Sequence, residues 1–216
     1  MKSIRAMAII VLIFSLVLSI PAQATQKASF EDLLQQLLTE QEQPAQTTTS
    51  NASTSSLPSG EVVAQLRTLV GQYLDSQGYS YSFNDERSCF NYSMRMDSMF
   101  GNCDVSIFIR DNGFKVYAYS PITPKPDNPT QLAATAEYLH RANYGLNLGY
   151  FEMDHEDGEV RYKTSFLYKD RMPSMMEVEW YVDYPPILLE SYVDGLGNVL
   201  FGGANPAAEI QRIEGN

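Results

Sequence analysis

The sequence predicts an α+β domain built from antiparallel hairpins and amphipathic helices. Three observations predict it. Short segments with apolar residues at alternate positions recur from residue 79 onward, the period of half-buried strands. The dipeptides Asn112-Gly113 and Asp157-Gly158 stand between such segments and mark tight hairpin turns. Apolar stripes at helical spacing lie before, between and after the hairpins.

Residues 1–24 read as an export signal rather than as part of the fold. Lys2 and Arg5 are the positive start, Ala6 to Ile20 is an apolar run shorter than the roughly 20 residues of a membrane span, and Ala22-Gln23-Ala24 is a small-residue cleavage site. Cleavage after Ala24 predicts a periplasmic or secreted protein, and no later segment is apolar enough to span a membrane. Losing Lys2 and Arg5 deepens the net charge from −11 to −13. Such a field opposes nucleic acid and anionic lipid as partners.

Residues 25–60 hold a short amphipathic helix, from Ser29 to Gln43, and then a linker. Phe30, Leu33, Leu34, Leu37 and Leu38 form the apolar stripe. A helix this short needs a surface to dock on, so Leu33, Leu37 and Leu38 are candidate partner-binding residues. From Pro44 to Gly60 the chain is rich in Thr, Ser, Asn, Gln and Pro and has no apolar period, which predicts a disordered tether.

The folded domain is expected over residues 61–213. Val62, Val63, Leu66, Leu69, Val70, Tyr73 and Leu74 trace a helix that Gly78 stops. Strands follow at Tyr79 to Asn84, Cys89 to Met96, Cys103 to Asp111 and Phe114 to Ser120. A turn at Asn112-Gly113 sets Ile109 opposite Val116, Ile107 opposite Ala118 and Phe108 opposite Tyr117. Prolines at 121, 124, 126 and 129 carry the chain away, and a helix runs from about Asn128 to Ala142. A second hairpin spans Leu148 to Leu167 about Asp157-Gly158. It places His155, Met153 and Phe151 opposite Val160, Tyr162 and Thr164, and pairs Asp154 with Arg161 and Glu152 with Lys163. Ser174 to about Phe201 reads as helical, divided or kinked at Pro185-Pro186 and ended by Gly202-Gly203. A short helix from Pro206 to Ile213 closes the chain.

Chemistry-bearing residues are few. Asp154, Glu156, Asp157 and Glu159 cluster at the second turn, where carboxylates suit Ca²⁺; their spacing is not that of an EF-hand, and a salt-bridged hairpin is the simpler account. His140 and His155 are the only histidines, and neither stands in a catalytic pattern. No G-x-S-x-G elbow, P-loop or H-E-x-x-H is present, so the chain is read as a non-enzyme without a cofactor. Cys89 and Cys103 are an even pair in an oxidising compartment, which favours a disulfide. A hairpin turning near Phe100 to Asn102 nevertheless puts Cys103 opposite a residue near Met96, several positions from Cys89, so a bridge and two separate thiols both stand open. Trp180, Tyr181 and Tyr184, beside Pro185-Pro186, are the aromatic cluster to expect at a binding patch.

The run Arg141-Ala142-Asn143-Tyr144-Gly145-Leu146-Asn147-Leu148-Gly149, continuing through Phe151-Glu152-Met153-Asp154 and Asp157-Gly158-Glu159-Val160-Arg161-Tyr162-Lys163-Thr164, resembles the YbjN-like domain family, bacterial regulators associated with sensory transduction. The likeness extends to Ser191-Tyr192-Val193-Asp194-Gly195 and Val199-Leu200-Phe201-Gly202. It implies a fold similar to type III secretion chaperones, with helices on one face of an antiparallel sheet. It also implies a protein partner and a homodimer. It transfers no catalytic residue. The alternative function from the residues alone is an envelope ligand or Ca²⁺ receptor.

Overall fold

The computed structural model describes residues 59–215, apart from position 170. The expected leader, the helix bearing Leu33, Leu37 and Leu38, and most of the linker lie outside the described residues. Helix α1 (Ser59–Gln77) buries Val62, Leu66, Val70, Tyr73 and Leu74, the stripe that its spacing predicts. Strands β1 (Tyr81–Asn84), β2 (Cys89–Arg95), β3 (Asn102–Arg110) and β4 (Gly113–Tyr119) then form a meander. Helix α2 (Pro129–Tyr144) follows, capped by Asn128, whose side chain accepts from the N–H groups of Thr130 and Gln131. Strands β5 (Tyr150–Met153) and β6 (Val160–Leu167) make the second hairpin, and helices α3 (Met175–Gly202) and α4 (Pro206–Glu214) complete the domain. None of the described helices is long and apolar enough to cross a membrane.

The six strands form one antiparallel sheet in the order β1-β2-β3-β4-β6-β5. Its inward residues, among them Phe90, Val105, Ile107, Val116 and Tyr162, share one core with the buried stripes of all four helices. The fold is therefore α+β, with its helices gathered on a single face. Among the described residues the opposite face carries no helix.

Both hairpins differ from expectation by two residues of register. Ile109 lies opposite Phe114, Ile107 opposite Val116 and Phe108 opposite Lys115, so the turn is Asp111-Asn112. Gly113 is committed elsewhere: at φ 140° it stands where a Cβ would meet the Phe166 carbonyl oxygen at 1.9 Å, so it serves the close approach of β4 to β6. In the second hairpin Met153 faces Val160, Phe151 faces Tyr162 and Glu152 faces Arg161. Residues 154–159 form a longer loop, because Asp154 and Asp157 each fold their carboxylates onto an N–H two residues on, at Glu156 and Glu159. A slip of two keeps every side chain on its expected face, so the buried sets are those the alternation predicts.

The Pro185-Pro186 pair does not divide the last long helix, which runs unbroken from Met175 to Gly202. Pro185 has no N–H for the carbonyl of Tyr181, one turn earlier. The buried Thr164 hydroxyl, reaching across from β6, donates to that carbonyl at 2.7 Å. The sheet thus satisfies the acceptor that the proline orphans.

Candidate functional site

The start of α3 is fixed by local electrostatics. Ser174 caps it in a capping box with Glu177, and Arg171 clamps both Glu177 carboxylate oxygens at 2.8 Å. The Arg171 guanidinium, then the Ser174 backbone and hydroxyl, pull the Glu177 carboxyl down to about 2. From this anchored turn Met175, Met176 and Trp180 point outward, with Met176 67% and Trp180 61% exposed. Residues 176 and 180 are one helical turn apart and share a face. Nearby, Ala64, Thr68 and Leu69 of α1 line an open groove of about 370 Å³ with Met172 and Pro173, the residues just before the cap.

Of the three aromatic residues singled out on this helix, only Trp180 is free to meet a partner. Tyr181 packs edge-on to Phe114 and Phe166, with ring centroids 5.9 and 5.7 Å away. Tyr184 leans on Tyr162 at 6.2 Å. Both belong to the core that holds the helix down. Met175 and Met176 were not singled out in the sequence, although the four-residue spacing from Met176 to Trp180 is its one visible sign.

A second cluster lies inside. Tyr73 donates to Asp183 at 2.6 Å and Tyr79 donates to it at 3.5 Å, tying α1 and the approach to β1 onto α3. Burial raises the Asp183 carboxyl, while the Tyr73 hydroxyl partly opposes that rise. The buried Tyr92 hydroxyl beside this group has no hydrogen-bond partner among the described residues. Phenol and carboxylate here act as a tie between helices.

The cysteines are not bonded to each other. Cys89 stands opposite Phe108 and Cys103 opposite Met94, so they are far apart in register and, by strand parity, on opposite faces of the sheet. Of the two readings left open for this pair, the register of β2 on β3 fits two separate thiols. Burial pushes the Cys103 thiol up to about 12 and raises that of Cys89 as well. His140 and His155 are both exposed, one on α2 and one in the loop after β5.

The acidic hairpin is engaged in its own architecture. Arg161 binds Glu152 at 2.6 Å and Glu159 at 2.8 Å, and Lys163 binds Glu152 at 3.5 Å. Asp154 does not reach Arg161; its carboxylate holds the loop. Gly158, with φ 82°, lets this loop approach the Pro124 carbonyl, which a Cβ would meet at 2.3 Å. Among the described residues no group of three or more His, Cys, Asp or Glu side chains gathers around a point where a metal ion would fit.

The uncovered sheet face is ordered in rows across the strands. One row is Cys89, Phe108, Lys115 and Ser165; the next is Asn91, Ser106, Tyr117, Lys163 and Tyr150; a third is Ser93, Asp104, Tyr119, Arg161 and Glu152. Arg161 lies over the Tyr117 ring at 4.4 Å, and Arg87 and Arg110 lie over Phe108 at 5.3 and 5.0 Å.

No family model matches the chain, and no curated protein matches it. Among solved structures, a chain in the crystal structure of the ExsC-ExsE complex is similar at 15% identity and a TM-score of 0.41, over 62% of this chain and 94% of that one.

Proposed function

We propose that this chain is an exported, non-enzymatic protein-binding module of YbjN-like kind, with a chaperone-like fold and a regulatory role linked to sensory transduction. The leader motif supports export, and the residue pattern from Arg141 to Thr164 supports the family reading. The observation that carries protein binding is the anchored apolar face of α3. The single tryptophan of the chain is 61% exposed, one turn from a methionine that is 67% exposed. Large apolar side chains held rigidly in water mark an interaction surface. Its occupant is an apolar segment of a protein partner, since the exposed side chains of the patch are Met175, Met176 and Trp180, and the Arg171–Glu177 pair serves the helix cap.

The full chain, its Trp180→Ala variant and its Met176→Ser variant would each be used to capture proteins from an envelope extract. A protein held by the wild type and lost by both variants, and which when purified shifts Trp180 emission to the blue, is the expected result. Equal recovery on all three proteins, or none above an acidic control protein, overturns the reading. An emission shift that depends on the chain's own concentration, with no partner added, would assign the face to a second copy instead.

A further inference from the structure

The uncovered sheet face departs in charge from the rest of the molecule. The chain carries a net −11, and only twelve of its basic residues fall within the described part. Six of those stand on or over this face: Arg95, Arg110, Lys115, Arg161 and Lys163 by strand parity, and Arg87 above Phe108. Its strands supply Asp104 and Glu152 in return, Asp104 accepting from the Ser93 hydroxyl and Glu152 binding Arg161 and Lys163, and the turns next to Arg87 and Arg110 add Asp85, which pairs with Arg67, and the exposed Glu86 and Asp111.

The cations fall into two groups. Arg161 and Lys163 are neutralised locally by Glu152 and Glu159. Arg87, Arg110 and Lys115 form no ion pair with the described residues. Among the described residues Arg110 donates to two backbone carbonyls, those of Arg87 and Ile109. All three gather around one ring, since both guanidiniums lie over Phe108 and Lys115 stands opposite it in register. All three residues are exposed, so their cationic N–H groups are open to carboxylates from solvent.

We propose that this corner of the uncovered sheet face, centred on Phe108 with Arg87, Arg110 and Lys115, docks a short acidic polypeptide segment. Charge complementarity selects the occupant, and the surroundings limit its length. A polyanion continuing along the face meets Asp104, Glu152 and Glu159, and beyond the face it meets an acidic molecule. At physiological salt such repulsion is screened beyond roughly 8 Å, so a few carboxylates seated at the corner are held while a long nucleic acid is not. The site shares with α3 only the class of partner, and it uses different residues on the other side of the sheet.

Fluorescence anisotropy with the full chain tests this, using a labelled glutamate-rich peptide, the same peptide with glutamine for each glutamate, and an oligothymidylate of equal charge. The glutamate peptide is expected to bind, to weaken as salt rises, and to outcompete both controls. The Arg110→Gln/Lys115→Gln double variant, altered only at exposed positions and checked for folding by circular dichroism, is expected to bind it about tenfold more weakly, as the loss of two exposed charge contacts implies. Trp180→Ala is expected to bind it as the wild type does, whether or not the α3 face proves to be an interface. Equal binding of the glutamine peptide, tighter binding of oligothymidylate, an unaffected double variant, or loss of binding in Trp180→Ala would each overturn the proposal.

Discussion

Thr164 shows how one hydroxyl lets a proline-bearing helix stay whole. It is almost fully buried and donates to the Tyr181 carbonyl that Pro185 leaves without a donor. Replacing it by valine keeps the shape but strands that acceptor, a change expected to cost roughly 1–3 kcal/mol. Thr164→Ser keeps the donor and is expected to cost less, and urea midpoints of the two variants check the order. A valine variant as stable as the serine one would remove the hydroxyl from this role. Asp183 yields a pH signature. Its folded-state carboxyl is raised above 3.8 by burial, so the native state binds the proton more tightly than the unfolded chain. Its contribution is most favourable below 3.8 and declines as pH rises through the folded value. Asp183→Asn should lack that decline, so wild type should lose ground to the variant between pH 4 and neutrality in paired denaturation series. Parallel curves would show that Asp183 does not titrate in that range. Glu177 acts in the opposite sense, since its carboxyl lies lowered to about 2 and its contribution is lost as pH falls below the ordinary 4.5. The apolar face of each of these elements was legible in the sequence, whereas the partner of an orphaned carbonyl was not, because it comes from a strand seventeen residues earlier.

At the scale of elements, the alternation of apolar residues specified which side chains enter the core, and the turn dipeptides were weaker guides to register. Asn112-Gly113 and Asp157-Gly158 both mark the right hairpins. Each glycine, however, serves a contact with distant backbone, at Phe166 and Pro124, which local spacing does not reveal. Asn143 is a comparable case. It stands just past the expected end of the helix at Ala142, and its amide donates to the Phe151 carbonyl at 2.9 Å and accepts from the Phe151 N–H at 2.7 Å. It therefore imitates a neighbouring strand beside β5, the edge of the sheet. Asn143→Ala should leave both backbone groups unpaired and cost about 2 kcal/mol. Amide exchange at Phe151 should accelerate well beyond that at Tyr162, its ladder partner, and equal acceleration at both would point to general loosening rather than a lost clamp. Among the residues expected at a binding patch, Tyr181 and Tyr184 turned inward for the same kind of reason. A helix that packs on a sheet shows its true face only once the sheet's position is known.

On the scale of the whole molecule, the sheet is a partition. Its inner face meets four helices, and its outer face carries the rows around Phe108 and Tyr117. The two cysteines stand on either side of it, which the even count alone could not disclose. Bringing them opposite one another would require β2 to slide along β3 by about five residues, an odd shift that turns its entire apolar set to the other face. The fold thus opposes a bond that an oxidising compartment would otherwise favour. Full-length protein exposed to mild oxidant and then denatured without reductant should release two reactive thiols and retain the mass of the unbridged chain. Before denaturation both thiols should react slowly, because each is about 1% exposed and held protonated by burial. A monomer lighter by two hydrogens, with the same melting temperature as the reduced protein, would contradict the register of β2 on β3, and the assignment of Lys115 and Arg110 to the outer face would fall with it. Thiol counting therefore also tests the geometry on which docking of an acidic segment depends.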